Sequence, residues 1–347
     1  MTRRRLDLTR SQILGYRRTV QALDARLPPG PDSLQRAAWA GLQDSAPRAA
    51  VLSIHARVEA TRSNTWEDPS VVQLWGPRFS AYVVAARDIA VFSLGRLPDE
   101  GTRRRIAEDL AGRLHAYLDG KRMPYSAAGR GLGERPNQLR YAAPTGTVLI
   151  RWEGARQPVV WTVPAPQVDP WEARLELARR YLHIFAPGTP AAFSQWAGIK
   201  PPRGSAAFDA IAGSLTHVRT PVGDGWILSA DEPTFHAPTG PAAPARLLPS
   251  GDAYFLLQGA DRQLLVPDAE RRGLLWTPRV WPGAVLVRGE IVATWRRANS
   301  EVTVHSWRRL SRKERDTIEA EAESLPLPLP GLGGRIRVRW DADPLLR

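Results

Sequence analysis

The 347-residue chain has no cysteine, which removes disulfides, thiolate zinc sites, iron–sulfur clusters and cysteine nucleophiles together. Redox chemistry therefore carries no information about its compartment. Lysine is almost absent: Lys121, Lys200 and Lys313 are the three, leaving 45 of the 48 basic residues as arginine. The six histidines are scattered, with no pair four residues apart, so no metal site is expected. Nowhere does a run of about 18 apolar residues occur. The basic start, Met1 to Arg10, is not followed by an apolar segment, so no signal peptide or membrane partner is expected, and the reading is cytoplasmic.

What is present is positive charge. The formal net charge is +13 and the isoelectric point about 10.9. A high-GC coding preference would turn lysine into arginine everywhere. Guanidinium forks also suit phosphate oxygens and guanine edges. Under either account the surface favours a polyanion. Together with the tandem wings expected of the chain, this makes double-stranded DNA the expected partner, and the lack of a dimerisation element makes a monomer the expected state. Each phosphate contact contributes a salt slope of roughly 0.9, so affinity should fall steeply with salt. At 43% hydrophobic residues the chain can bury two or three cores.

The expected class is α+β: three tandem winged helices, then a small β-barrel or sheet and a C-terminal helix. The clearest module is 169–240. Residues 171–185 have helical apolar spacing and stop at Pro187-Gly188; Thr189 caps a second helix with Pro190 at its first position. A third helix over 205–215 and a hairpin around Gly223-Asp-Gly225 complete it. A weaker copy is expected over 99–168: a helix to Leu118, a flexible glycine stretch over 129–133, and strands over 147–152 and 158–163. The first copy, 1–98, is expected to place helices at 9–23, 33–42, 47–58 and 69–75, then strands at 80–84 and 88–92. Residues 241–325 read as short strands at 254–258, 264–266, 284–287, 291–295 and 301–307, with Ser311-Arg-Lys-Glu314 as a capping box opening the final helix. Residues 326–347 read as a Pro/Gly linker and a tail in which 335–340 alternate like an edge strand.

Three separated stretches carry a resemblance. Trp39-Ala-Gly-Leu-Gln-Asp-Ser-Ala-Pro-Arg48, Arg180 to Pro190 with Trp196-Ala-Gly198, and Leu247-Leu-Pro-Ser-Gly-Asp252 with Val287-Arg-Gly289 and Thr294-Trp-Arg-Arg297 resemble the winged-helix DNA glycosylases of the AlkZ and YcaQ type. The resemblance implies a basic channel formed by three winged helices, and release of N7-alkylated purines, including unhooking of interstrand crosslinks, without metal or cofactor. It also implies an active-site motif of Gln, an apolar residue, then Gln or Asp.

Gln43 matches the first motif position, Asp44 replaces the apolar spacer, and Ser45 replaces the last member. An N7-alkylated purine is already cationic, so the enzyme need only hold a water and stabilise charge developing on the sugar. Gln43 can position that water, and Asp44 is expected to supply the missing charge if the backbone turns it inward. Ser45 can exchange one hydrogen bond. The bland alternative is that all three merely cap the helix beginning near Pro47. The resemblance places Arg48, Arg78, Tyr82, Arg296 and Arg297 near DNA, and Trp295 is a candidate wedge or a core residue. The three lysines lie outside the matched catalytic stretch, so hydrolysis without a Schiff base is expected. A noncatalytic winged-helix DNA binder or regulator explains the charge and modules equally well, although no dimerisation element is evident for a symmetric operator.

Overall fold

The computed structural model describes residues 6–46, 48–153, 156–238, 240–327 and 336–341, a mixed α+β chain of helices and small open sheets. It begins with β1 (Leu6–Asp7), α1 (Arg10–Val20), α2 (Pro31–Ala37), β2 (Leu42–Gln43), α3 (Ala49–Arg57), β3 (Val71–Trp75), β4 (Ala81–Ala85) and α4 (Ile89–Ser93). Two expectations are reversed here. Residues 71–75 form a strand rather than a helix, since Val71 and Val72 are branched at Cβ and favour the pleat. Residues 89–93 are a helix rather than a strand. The helix expected over 33–42 ends at Ala37, and Gly41, at φ +70°, turns the chain into β2. The three-stranded sheet has the order β2-β4-β3, all antiparallel.

Next come α5 (Thr102–Leu118), β5 (Met123–Pro124), α6 (Tyr125–Gly131), a 3-10 segment (Pro136–Thr145), β6 (Val148–Arg151) and β7 (Val159–Thr162). The glycines at 129 and 131 are therefore not a flexible connection. Gly129 lies in α6 where a β-carbon would come within 2.9 Å of the Pro136 backbone, so its smallness allows two segments to touch.

Residues 170–236 follow the expected order of elements: α7 (Pro170–Phe185), α8 (Pro190–Ala197), α9 (Pro201–Ala210), β8 (Leu215–Thr220), β9 (Gly223–Leu228) and α10 (Glu232–His236). The helix expected over 205–215 instead begins at Pro201 and ends at Ala210, because prolines are tolerated in a helix's first turn. Asp169 accepts from the amides of Trp171 and Glu172, Thr189 accepts from Ala192, and Gly198 ends α8 at φ +71°. Tyr181, Phe185, Phe193 and Trp196 pack into one aromatic core. Strand β1 adds in parallel to β8, tying the start of the chain to this segment.

The last segment contains β10 (Ala245–Leu248), α11 (Asp261–Leu265), α12 (Ala269–Leu275), β11 (Gly283–Val287), β12 (Glu290–Ala298), β13 (Glu301–Ser306), α13 (Arg312–Glu323) and β14 (Arg337–Asp341). The five strands make an open sheet in the order β10-β11-β12-β13-β14, so the barrel alternative does not hold. Strands expected at 254–258 and 264–266 are absent. Tyr254, Phe255, Leu256 and Leu257 are all buried in irregular chain, and residues 261–265 are helical; a short continuous apolar run does not distinguish strand from other buried structure. Ser311 and Glu314 form the expected capping box of α13. Most of the expected Pro/Gly linker lies outside the described residues. No helix among the described residues is long and apolar enough to cross a membrane.

Candidate active site

Side chains alternate across a strand, and directly paired residues on neighbouring strands share a face. Leu42 pairs with Val83, which pairs with Gln73; Gln43 pairs with Tyr82, which pairs with Leu74. Gln43 and Tyr82 therefore share one face of the sheet, and Asp44, next in the alternation, belongs to the face of Gln73. This single geometric fact separates the two candidate catalytic side chains.

On its face Gln43 is half-buried and held on three sides. Arg78 Nη2 donates to Gln43 Oε1 at 3.1 Å, and the Tyr82 hydroxyl lies 3.5 Å from the same oxygen. With donors facing it, that atom is the carbonyl oxygen, and Nε2 turns toward Gly251. A β-carbon on Gly251 would lie 3.2 Å from Gln43 Cδ and Nε2. Tyr82 is fully buried, flanked by Gly41 and Gly76, where β-carbons would each approach its ring to 2.9 Å. Burial pushes the Tyr82 hydroxyl up to about 12, so it is a neutral donor.

The turn bearing Arg78 is strained. Arg78 and Phe79 have φ of +55° and +58°, a left-handed region that costs non-glycine residues roughly 1–2 kcal/mol each. Packing from α8 holds it: a β-carbon on Gly198 would meet Arg78 N at 2.9 Å. Beside it the buried Arg96 donates to Ala197 O and Trp75 O and lies over the Phe79 ring.

The Gly251 loop is anchored by a buried pair. Arg57 of α3 donates through Nη1 and Nη2 to both carboxylate oxygens of Asp252, at 2.7 and 2.8 Å; Ser53 donates to Asp252 as well. Arg57 also donates to Gln21 Oε1. The carboxylate oxygens and both guanidinium Nη atoms are thus engaged, the condition under which a buried pair is tolerated.

Asp44 is buried on the opposite face. Its Oδ1 accepts from the Ala50 amide at 3.0 Å, in the first turn of α3, and its Oδ2 accepts from Gln73 Nε2 at 2.6 Å. Gln73 Oε1 in turn accepts from the Trp152 amide, linking this sheet to the next. Burial pushes the Asp44 carboxyl up to about 7, against the lowering effect of the Ala50 amide and Arg48. The backbone does not turn Asp44 inward to Gln43.

The other expected residues scatter. Ser45 is exposed. Arg48, at φ +64°, lies over the Trp66 ring at 4.7 Å. Trp295 is a core residue: it is 4% exposed, and its Nε1 donates to Leu248 O at 2.8 Å. Arg296 and Arg297 are exposed further along β12, Arg296 donating to Val280 O. Tyr82 supports Gln43 from below and offers no surface to a partner. Gln73 and Arg57 carried no sequence signal, whereas Gly251 and Asp252 stand in one of the stretches that carry the resemblance. All three stretches converge at Gln43: the first bears it, Gly198 of the second holds the Arg78 turn, and Gly251 of the third lies against it.

A sequence model of the family described as "DNA glycosylase AlkZ-like" matches residues 37–326. Among solved structures the chain is similar to the Streptomyces sahachiroi DNA glycosylase AlkZ, with a TM-score of 0.77 and 18% identity, covering 97% of this chain and 100% of that one. No curated protein sequence matches significantly. At that identity the structural likeness concerns the fold.

Proposed function

From a chain that belongs to the AlkZ-like DNA glycosylase family, we propose a monofunctional enzyme that hydrolyses the N-glycosidic bond of N7-alkylated purines in duplex DNA, crosslinked purines included. The observation that carries this reading is the fixed carboxamide of Gln43, on which three distant stretches of chain converge. With Arg78 and the Tyr82 hydroxyl both facing Oε1, the Nε2 hydrogens are the part of the amide left to hold a water through its oxygen. The water oxygen attacks C1′ and the C1′–N9 bond breaks. Its electron pair neutralises the cationic base, and the water's proton passes to solvent. No acid is needed for such a leaving group, which suits a site whose sequence-adjacent carboxyl, Asp44, faces away. In this reading Arg78 is a positioning residue, Asp44 holds β2 to α3 and Gln73, and exposed arginines such as Arg297 meet DNA phosphates. The segments ending in the hairpins β3–β4, β6–β7 and β8–β9 serve as three winged helices around the DNA, bound by a monomer.

One observation favours the second reading, a family member that binds DNA without excision. Asp44 is turned away and Ser45 is short, leaving Gln43 as the single amide of the motif. The deciding experiment is single-turnover incubation with duplex DNA bearing one N7-methylguanine, with abasic-site formation as the readout. Gln43→Ala should slow excision by about a hundredfold or more with unchanged thermal stability. An active Gln43→Ala variant refutes the assignment of the chemistry, and a wild type inactive on both monoadduct and crosslink selects the binding reading.

A further inference from the structure

The strained turn at 77–79 faces two ways. Arg78 reaches Gln43, while Phe79 lines a cleft of about 740 Å³ between α5, the 3-10 segment before β6 and the start of α9. That volume lies within the range of about 300–1,000 Å³ usual for small-molecule sites. Its apolar lining is uncovered: Ile106 is 52% exposed and Tyr141 40%, the Tyr141 ring standing edge-on to Phe79 at 5.0 Å. Ile106 follows Arg103, Arg104 and Arg105 on α5 and borders the helix's buried face at Ala107 and Leu110, yet remains exposed to the cleft.

The same cleft is positively charged. Arg96, Arg103, Lys200 and Arg203 line it against a single acid, Glu100. Arg203 is offset by Asp99 at 3.1 Å, and Arg96 is committed to two backbone carbonyls. Arg103 and Lys200 are exposed, and among the described residues neither has an ion-pair partner. An apolar wall alone would suit many ligands, and cations alone would suit any stretch of phosphate backbone. A ring-sized apolar wall with two unpaired cations at its rim suits a group that is aromatic at one end and anionic at the other.

We propose that this cleft takes one unpaired nucleotide of the bound DNA, its base against Tyr141 and Ile106 and its phosphate between Arg103 and Lys200. The proposal rests on the reading of the protein as acting on DNA and adds a second subsite, one turn of chain from Gln43. A DNA strand displaced at Gln43 would thereby have a neighbouring nucleotide held out of the stack, which favours a locally opened duplex over a perfect one.

The test uses the full chain and undamaged DNA, so it requires no excision. A duplex with one extrahelical 2-aminopurine is titrated against the same duplex fully paired, following 2-aminopurine fluorescence and affinity. Stacking of one base predicts roughly five- to hundredfold tighter binding of the bulged duplex, with fluorescence quenched on binding. Ile106→Asp and Lys200→Glu, both at exposed positions, should each remove most of that preference while leaving affinity for paired DNA within about threefold. Equal affinity for the two duplexes overturns the proposal alone. So does a preference that survives both variants. Failure to bind either duplex removes the DNA reading beneath it. Free dAMP binding as tightly as the bulged duplex would identify a free-nucleotide site and overturn the assignment to DNA.

Discussion

Gly251→Ala tests the site without touching any side chain in it. Gly251 has φ +77°, and a β-carbon there would lie 3.2 Å from Gln43 Cδ and Nε2, so two effects are superposed. The first is conformational: a non-glycine residue in the left-handed region costs about 1–2 kcal/mol, which lowers stability wherever it occurs. The second is positional. The contact is a few tenths of an ångström too close, and the end of the Gln43 side chain is the softer partner, so the carboxamide moves rather than the loop, which Arg57 and Asp252 anchor. Misplacement of a positioned group by about 1 Å costs on the order of a hundredfold in rate, and the shift expected here is smaller, so a loss of about tenfold is predicted. Gly259 supplies the control. It lies in the same irregular stretch at φ +56°, with nothing within 4 Å of its β-carbon position. Gly259→Ala should therefore show the stability loss alone. Urea denaturation and single-turnover excision of N7-methylguanine, run on both variants, separate the effects. Equal excision rates in the two variants, whether both reduced or both normal, would refute the argument that Gly251 sets the position of Gln43.

Asp44 has a folded pKa of about 7 against an ordinary value of 3.8, so it favours the folded state below about pH 4 and that advantage is lost as pH rises to about 7. Asp44→Asn removes this dependence: the stability gap between wild type and variant, measured by urea denaturation from pH 5 to 8, should shift toward the variant as pH rises. Excision at pH 7 should stay within about threefold, because the carboxylate faces away from Gln43; a larger loss at unchanged DNA affinity would restore Asp44 to the chemistry. Asp252→Ala strands the buried Arg57 guanidinium and should cost about 3–5 kcal/mol in chemical denaturation, whereas a loss under 1 kcal/mol would mean the pair is solvated. Ser45 is exposed in the bend just after β2, at the position where the family motif carries its third member; Ser45→Gln should raise single-turnover excision, and an unchanged rate would show that one amide suffices.

Much of the candidate site was legible in the chain because it depends on local chemistry. Gln43 stood in a recognisable stretch, and the absence of cysteine and scarcity of lysine directed attention away from thiolate and Schiff-base mechanisms. Residues 170–236 were readable for the same reason: Asp169, Thr189, Pro190 and Gly198 act on neighbours within a few residues, so their caps and stops work wherever the segment lies. The capping box at Ser311 is another local device.

Long-range partners decided the rest. Residues 71–75 and 89–93 exchanged expected identities because a short apolar segment takes the form its neighbours complete, and β4 completed Val71–Trp75 as a strand. Tyr254 to Leu257 looked like a strand but is buried without a ladder, and of the two roles open to Trp295, wedge or core, it takes the second, donating to Leu248 inside the core. Asp44 shows the difference most sharply. Composition and proximity made it a candidate for the chemistry, but its direction depends on pairing of β2 with β4, and Gln73 and Ala50, which receive it, are 29 and 6 residues away. Residue type and short-range spacing determine what a side chain can do; the register of strands brought together from distant parts of the chain determines which side it faces.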